Sequence, residues 1–174
     1  MNPPVGSYLM RQRVRIDALQ LVELAIFDYQ ARQLKLLRQL FEHRTVARHE
    51  APNAYSNLLY KGALQDQAHT IFFGNLVVPP GAPGTDAYQT NRNLVLNEGA
   101  RADTIPFLEI ETAEVKCSHA GAVGRVDDEH LFYLRSRGVP EHVAKRLIVL
   151  GFFQEVLAQV SLEELRTELE RAVA

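Results

Sequence analysis

The chain has 174 residues and a formal net charge of −2, a size that suits one compact domain or a small core with an appendage. Hydrophobic residues make up 47% and charged residues 23%, which is typical of a globular protein and excludes a largely disordered chain. The near-neutral charge and the lack of a basic run argue against nucleic acid as a partner.

The single cysteine, Cys117, excludes an intrachain disulfide and is typical of a reducing compartment. The segment from Met1 to Asp17 lacks an apolar stretch followed by a small-residue cleavage site, so we expect no signal peptide. The sequence has no run of about 18 apolar residues, so we expect no membrane span and no membrane partner. These features predict a cytoplasmic protein.

Residues 1–50 are predicted to be a helical amino-terminal segment, with one helix over residues 16–43. Apolar residues recur there at spacings of three and four, and neither Gly nor Pro interrupts the segment. A stripe this apolar needs a partner surface, which is either its own domain or another protein. The residues of the stripe are Ile16, Leu19, Val22, Ile26, Phe27, Leu34, Leu37, Leu40 and Phe41.

Residues 51–126 are predicted to be a β core. Gly and Pro return, helical periodicity stops, and short apolar runs such as Thr70–Phe73 and Leu94–Leu96 alternate with turn signals. The sequence Pro79-Pro80-Gly81 is one such turn. The pattern is compatible with a β-sandwich and with a β-solenoid, and no clean repeat period is visible.

Residues 127–174 are predicted to form three helices. Asp127 and the acidic residue after it can cap a first helix that ends near Arg137, and Gly138 supplies its carboxyl-terminal stop. Pro140 suits the first turn of the second helix. Ser161 and Glu164 form a capping-box pattern for the third helix.

The second of these helices contains the run from Leu147 to Phe153, which is apolar on every side. A helix on a protein surface needs only one apolar face, so this helix is predicted to be covered on more than one side. The cover is either the sheet together with a neighbouring helix, or a partner protein.

Soft metal ligands cluster at one place, Cys117-Ser118-His119. Residues two apart in a strand point to the same face, so Cys117 and His119 would present sulfur and imidazole together, which suits iron–sulfur, zinc or copper chemistry. Two ligands do not close a tetrahedral site, so another chain or exogenous sulfide would have to complete it. The alternative is that Cys117 shares a buried face with Val115 and is an ordinary core cysteine.

Catalytic sequence motifs are missing. The chain has no G-x-S-x-G, no Walker A sequence and no G-x-G-x-x-G. Glu109 and Glu111 share a face of a predicted strand, but such a pair is more typical of a solvated edge. We therefore expect no enzyme activity from the chain on its own.

The stretch from Ala51 to Phe153 resembles the SufB/SufD family of iron–sulfur cluster assembly scaffolds. The residues that carry the resemblance are SNLLYKG from Ser56, TDAYQTNRNLVLNEGARADTIPFLEI from Thr85, VKCSHAGAVGRVDDEHLFYLRSRGVP from Val115 and RLIVLGFF from Arg146. Within the family, the YQTNRNL and CSH…VGRVD blocks look like SufD rather than SufB.

The resemblance implies a partial right-handed parallel β-helix, followed by a small carboxy-terminal helical domain. It also implies pairing with SufB through the β-helix and binding of the SufC ATPase by the terminal helices. A transient iron–sulfur cluster would be shared with SufB, with His119 at the position of a SufD ligand and Cys117 as a second candidate. At the position of the SufB cysteine this chain has Asn91. The candidates for SufC binding are Leu147, Leu150, Phe152 and Phe153.

Residues 1–48 do not resemble the family by eye, and SufD proteins are typically longer. The chain is then either a truncated gene product or a shortened relative with a replaced amino terminus, whose predicted helix could cap the open end of the β-helix. Three functions follow: a non-catalytic scaffold, a module that binds SufC without holding a cluster, and a small metal-binding enzyme, which the missing motifs disfavour. A homodimer of the isolated chain and a bound flavin stay open.

Overall fold

The computed structural model describes the backbone of residues 7–16, 20–27, 40–160 and 163–173, and the side chains of residues 40–160 and 163–170. Within these ranges, eight strands precede three helices. The strands are β1 (Ser7–Ile16), β2 (Gln20–Phe27), β3 (Leu40–His49), β4 (Tyr55–Leu64), β5 (His69–Val78), β6 (Asp86–Val95), β7 (Arg101–Ile110) and β8 (Lys116–Arg125). The helices are α1 (Asp128–Ser136), α2 (Glu141–Leu157) and α3 (Glu163–Val173).

Successive strands alternate between two parallel sheets. One sheet has the order β1-β3-β5-β7 and the other has the order β2-β4-β6-β8, and all neighbours pair in parallel. Each winding of the chain therefore adds one strand to each sheet. This pairing confirms the predicted partial parallel β-helix followed by helices, and it excludes the antiparallel alternatives.

The predicted helix over residues 16–43 is wrong wherever the structure describes it. Residues 20–27 form β2, and β3 already begins at Leu40, while residues 28–39 lie outside the described residues. Strands of parallel sheets are often covered on both faces and read as continuous apolar runs. The run in β2 matched a helical stripe because short apolar runs satisfy both periods.

The interior between the sheets is built from side chains at alternate positions of the strands. In β4 the side chains of Ser56, Leu58 and Tyr60 are buried, and they face inward from the same side of the strand. Tyr60 packs against Phe72 of the opposite sheet, with ring centroids 4.8 Å apart. Burying large apolar side chains of this kind stabilises the fold by roughly 1.5–3 kcal/mol each.

The three turns that lead into β4, β6 and β8 share a backbone feature. Asn53, Gly84 and Glu114 all have positive φ, at intervals of about 30 residues. The turns stack through backbone hydrogen bonds, from the Asn53 amide to the Pro83 carbonyl at 2.8 Å and from the Gly84 amide to the Glu114 carbonyl at 3.0 Å. The structure therefore has a repeat of about 30 residues that was not apparent in the sequence.

The helices begin and end largely where the sequence predicts. The Asp127 side chain accepts a hydrogen bond from the Glu129 amide at 2.8 Å and caps α1, Gly138 follows α1 with φ of 84°, and Pro140 directly precedes α2. The predicted capping residue Ser161 lies outside the described residues. In the described part of the chain, no helix is long and apolar enough to cross a membrane.

Candidate functional site

The β-helix ends in two strands, β7 and β8, that we call the open end. Each is the last strand of its sheet, so among the described strands β7 pairs only with β5 and β8 only with β6. Most side chains of β8 are exposed. One row of backbone donors and acceptors on each of these strands therefore has no ladder partner in the described chain, which is the condition under which another strand can add.

Cys117 and His119 both lie on β8 and face the interior side of the sheet. Cys117 pairs in register with Ala87 and His119 with Gln89, and both of these β6 residues are buried. Side chains paired in register on neighbouring parallel strands project from the same face. The structure therefore places Cys117 and His119 on one face of an edge strand, as predicted.

The two candidate ligands differ in their surroundings. Cys117 is half-buried and packs against the core cluster that contains Leu76 and Val78. Burial raises the pKa of the Cys117 thiol, since the thiolate is disfavoured away from water. Cys117 is thus held mainly as a packed thiol, and it is not an activated nucleophile.

His119 is exposed, because no further winding of the β-helix among the described residues covers the open end beside it. Gly121, two residues along, allows β8 to lie close to β7. A Cβ added at Gly121 would come within 2.8 Å of the Thr104 side chain. His119 therefore lies next to the point where β7 and β8 approach closely, and its exposed side chain is accessible to another chain.

Polar side chains line the interior directly behind the open end. The Asn91 carbonyl oxygen accepts hydrogen bonds from the Thr104 hydroxyl at 2.6 Å and from the Asn93 amide at 2.7 Å. Asn91 is buried. It is part of a structural hydrogen-bond network and has no thiol to offer a metal.

The four residues predicted to contact a partner on α2 lie in different environments. Phe153 is only 2% exposed and belongs to a core cluster with Leu94 of β6. Leu150 and Phe152 are half-buried against the same cluster, whereas Leu147 is 47% exposed. The sheet thus covers one face of α2, and only Leu147 of the four is freely accessible.

A buried lysine fixes this face of α2 to the β-helix. Lys61 of β4 donates a hydrogen bond to the Phe152 carbonyl at 2.8 Å and forms an ion pair with Glu155 at 2.6 Å. Its ammonium group also lies 5.0 Å from the centroid of the Phe152 ring. The hydrogen bond from Lys61 lowers the pKa of the Glu155 carboxyl. The packing of α2 on the sheet is therefore specific as well as apolar.

Sequence reasoning missed two exposed aromatic residues on α1. Phe132 is 73% exposed, Tyr133 is also exposed, and no side chain of α1 is buried. The signal was available, because Leu131 to Leu134 are four consecutive apolar residues, and such a run in a helix cannot all lie on one face. With Leu147, these two aromatic residues are the large apolar side chains of α1 and α2 that are exposed in the described structure.

Comparison with known proteins places the chain in a family. Residues 6–152 match the family described as SUF system FeS cluster assembly, SufBD core domain. The chain belongs to the SufB/SufD family. It is 50% identical over 143 residues to an iron-sulfur cluster assembly SufBD family protein of Mycobacterium tuberculosis (strain ATCC 25618 / H37Rv), an alignment that covers 78% of this chain and 36% of the relative.

Other relatives extend the comparison within the family. A SufBD family protein of Synechocystis is 34% identical over 171 residues, which cover 98% of this chain and 37% of the relative. The SufD protein of Escherichia coli (strain K12) is 37% identical over 131 residues, which cover 75% of this chain and 31% of the relative. The chain thus spans about a third of the length of these relatives. The expectation that residues 1–48 are unlike the family is wrong, since the family match starts at residue 6.

The ligands at the open end are too few to close a metal site on their own. Within the described residues, no group of three or more His, Cys, Asp or Glu side chains is arranged to hold a metal ion. Cys117 and His119 supply one sulfur and one nitrogen, whereas cluster irons and zinc ions are normally tetrahedral. A cluster bound here would need ligands from a second chain.

Proposed function

We propose that the chain is a SufD-like scaffold subunit of iron–sulfur cluster assembly, pairs with SufB and the SufC ATPase, and is not an enzyme on its own. The observation that carries the proposal is the placement of Cys117 and His119 on an edge strand, paired on one side only among the described strands, of a SufB/SufD-family β-helix. The cluster is cargo that the subunit helps to hold, and it leaves for a recipient protein.

SufB is proposed to cover the open end. A second β-helix can continue the ladder of β7, β8 or both, because main-chain hydrogen bonds at an edge accept a strand of almost any sequence. Side chains at the exposed interior face would then give the pairing its specificity. His119 would lie in the contact between the two chains, where one ligand from each could meet.

We propose that His119 contributes more to cluster binding than Cys117 does. His119 is exposed at the open end, and its imidazole can act as a neutral nitrogen ligand. Cys117 must first leave its packing contacts and lose a proton whose pKa burial has raised. We therefore assign the main ligand role to His119 and a mainly structural role to Cys117.

SufC is proposed to bind the exposed apolar surface formed by Phe132, Tyr133 and Leu147, which we call the helical patch. Its three side chains are among the large apolar residues exposed in the described part of the chain. Exposed aromatic side chains that group together commonly mark interaction sites. Phe153 is excluded from this role because it is part of the core.

The test of the proposal is iron and labile-sulfide analysis of a complex purified with SufB and SufC. Replacing His119 with Ala should leave folding and complex formation unchanged, since the side chain is exposed, and should lower the retained iron and sulfide several-fold. His142→Ala, at an exposed position on α2, is the matched control and should change nothing. Cys117→Ala should mainly lower thermal stability, with a smaller effect on iron.

Two results would count against the proposal. If the His119→Ala complex holds as much iron and sulfide as the parent, His119 is not a ligand. If the parent chain forms a stable complex with SufB and SufC that contains no iron or sulfide, the chain is an interaction module, which is the second function compatible with its incomplete ligand set.

A further inference from the structure

Gln89 is a buried side chain whose polar atoms have no partner. Gln89 is 1% exposed. Within the described residues, neither the nitrogen nor the oxygen of its side-chain amide has a hydrogen bond. Native proteins bury few groups in this state, because each one loses its hydrogen bonds to water without replacement. Stability therefore does not explain why a glutamine occupies this buried position, and another role must.

Gly74 gives the Gln89 amide the space that it occupies. A Cβ added at Gly74 would lie 2.7 Å from Gln89 Cδ and would collide with the amide nitrogen. Gly74 belongs to β5, in the sheet opposite to Gln89. The side chain of Gln89 thus reaches across the interior to the facing sheet, and any residue larger than glycine at position 74 would displace it.

Gln89 is also the register partner of His119. The two residues pair across β6 and β8, on strands that are roughly 4.8 Å apart, and their side chains project from the same face. His119 too has no hydrogen bond to any described side chain or backbone group. An unsatisfied amide carbonyl and an imidazole N–H are complementary, and here they belong to register partners on neighbouring strands.

We propose that Gln89 is the positioning residue for His119, an inference that rests on the ligand role of His119 proposed above. When a partner covers the open end, His119 loses contact with water and its N–H needs a protein acceptor. The Gln89 carbonyl oxygen accepts that N–H and fixes the tautomer of the ring. The other ring nitrogen is then left with a free lone pair for iron. Groups that orient a ligating histidine in this way commonly alter metal affinity by about 10–100-fold when removed.

The test uses two substitutions of Gln89 that separate this role from a structural one. Gln89→Met removes the acceptor but keeps the shape, so it should raise or preserve the thermal midpoint while retained iron and sulfide fall roughly ten-fold in the complex with SufB and SufC. Gln89→Glu keeps an oxygen acceptor in a buried site, so it should lower the thermal midpoint yet retain more iron and sulfide than Gln89→Met. A merely structural glutamine would give the opposite order for cluster retention.

A second readout does not depend on the cluster. In the iron-free complex labelled with ¹⁵N-histidine, the His119 imidazole should show one tautomer in the parent and in Gln89→Glu, and a mixture in Gln89→Met. Gly74→Ala, whose Cβ would displace the Gln89 amide and also press on the Phe72 ring, should likewise give a mixture of His119 tautomers, and it is the variant to use if Gln89→Met does not fold.

The outcomes distinguish this inference from the function on which it rests. If His119→Ala loses iron and sulfide but Gln89→Met keeps both and leaves the tautomer unchanged, the ligand role stands and the positioning role of Gln89 is overturned. If His119→Ala keeps its iron and sulfide, the proposed function is overturned as well.

Discussion

Two histidines of β3, His43 and His49, are buried in the interior of the β-helix. His43 is 6% exposed, and burial lowers its pKa from 6.5 to about 4, because the imidazolium would lose its hydration. Burial also lowers the pKa of His49, whose Nε2 lies 2.8 Å from the Ser56 hydroxyl. Both side chains are therefore neutral in the folded protein at neutral pH.

The lowered pKa of His43 makes the stability depend on pH. The unfolded chain takes up a proton near pH 6.5, whereas the folded chain does so only near pH 4. Stability is therefore fully present above about pH 6.5 and falls as the pH is lowered towards 4, by about 3 kcal/mol from this residue.

Urea unfolding as a function of pH checks this account. His43→Gln should make the loss of stability between pH 6.5 and pH 4 smaller, because it removes the uptake of one proton on unfolding. The remaining loss is due to His49 and to carboxyls such as Glu155, whose pKa is lowered in the folded chain. The control, His142→Gln at an exposed position, should leave the slope unchanged. Equal slopes in His43→Gln and the parent would show that His43 is not buried as the structure has it.

At the scale of elements, α2 has a core face and an accessible face. Substitutions on the core face should change the free energy of unfolding, and substitutions on the accessible face should change SufC capture. Phe153→Ala should lower the free energy of unfolding by about 3–5 kcal/mol, since it leaves a cavity beneath Leu94. Leu147→Glu should leave that free energy within about 0.5 kcal/mol of the parent but should abolish capture of SufC by the helical patch.

Gln154→Glu is the matched control, because it adds the same charge at another exposed position of α2. It should affect neither folding nor SufC capture. Unchanged capture by a folded Leu147→Glu variant would remove Leu147 from the proposed SufC surface. A loss of stability in that variant similar to that of Phe153→Ala would show that the Leu147 side of α2 is also internal.

The elements also show what the sequence could and could not predict. The three helices and their caps were predictable, because Asp127, Gly138 and Pro140 act locally. The 30-residue repeat was not, since the turn positions share a backbone conformation but not a residue type: they are Asn53, Gly84 and Glu114. The predicted helix over residues 16–43 failed because the apolar runs in β2 and β3 satisfy a helical period until long-range strand pairing decides.

The candidate site was predictable to a similar degree. Side chains alternate between the two faces of a strand, so the sequence alone placed Cys117 and His119 on one face. The burial of Cys117 followed from its apolar neighbours. The pairing of His119 with Gln89, and the unsatisfied state of the Gln89 amide, depend on register between strands about 30 residues apart. Such long-range register is not encoded in any local pattern.

At the scale of the whole molecule, the chain is a stack of parallel windings with an open end and a helical part fixed to its side by Lys61. The open end presents the candidate ligands, and the helical part presents the apolar patch. The two surfaces are formed by different elements, so a partner at each could bind at the same time. This separation is what a scaffold needs in order to connect an ATPase to a cluster site.

Hydrogen exchange of the β8 backbone amides, in the chain alone and in complex with SufB, measures whether a partner strand pairs with the open end. Amides of Lys116–Arg125 that point away from β6 have no ladder partner in the described structure, so they should exchange rapidly in the chain alone. In the complex they should become strongly protected, while amides of β4 and β6, which already pair on both sides, should change little. A complex in which the β8 amides exchange as rapidly as in the free chain would contradict pairing at the open end.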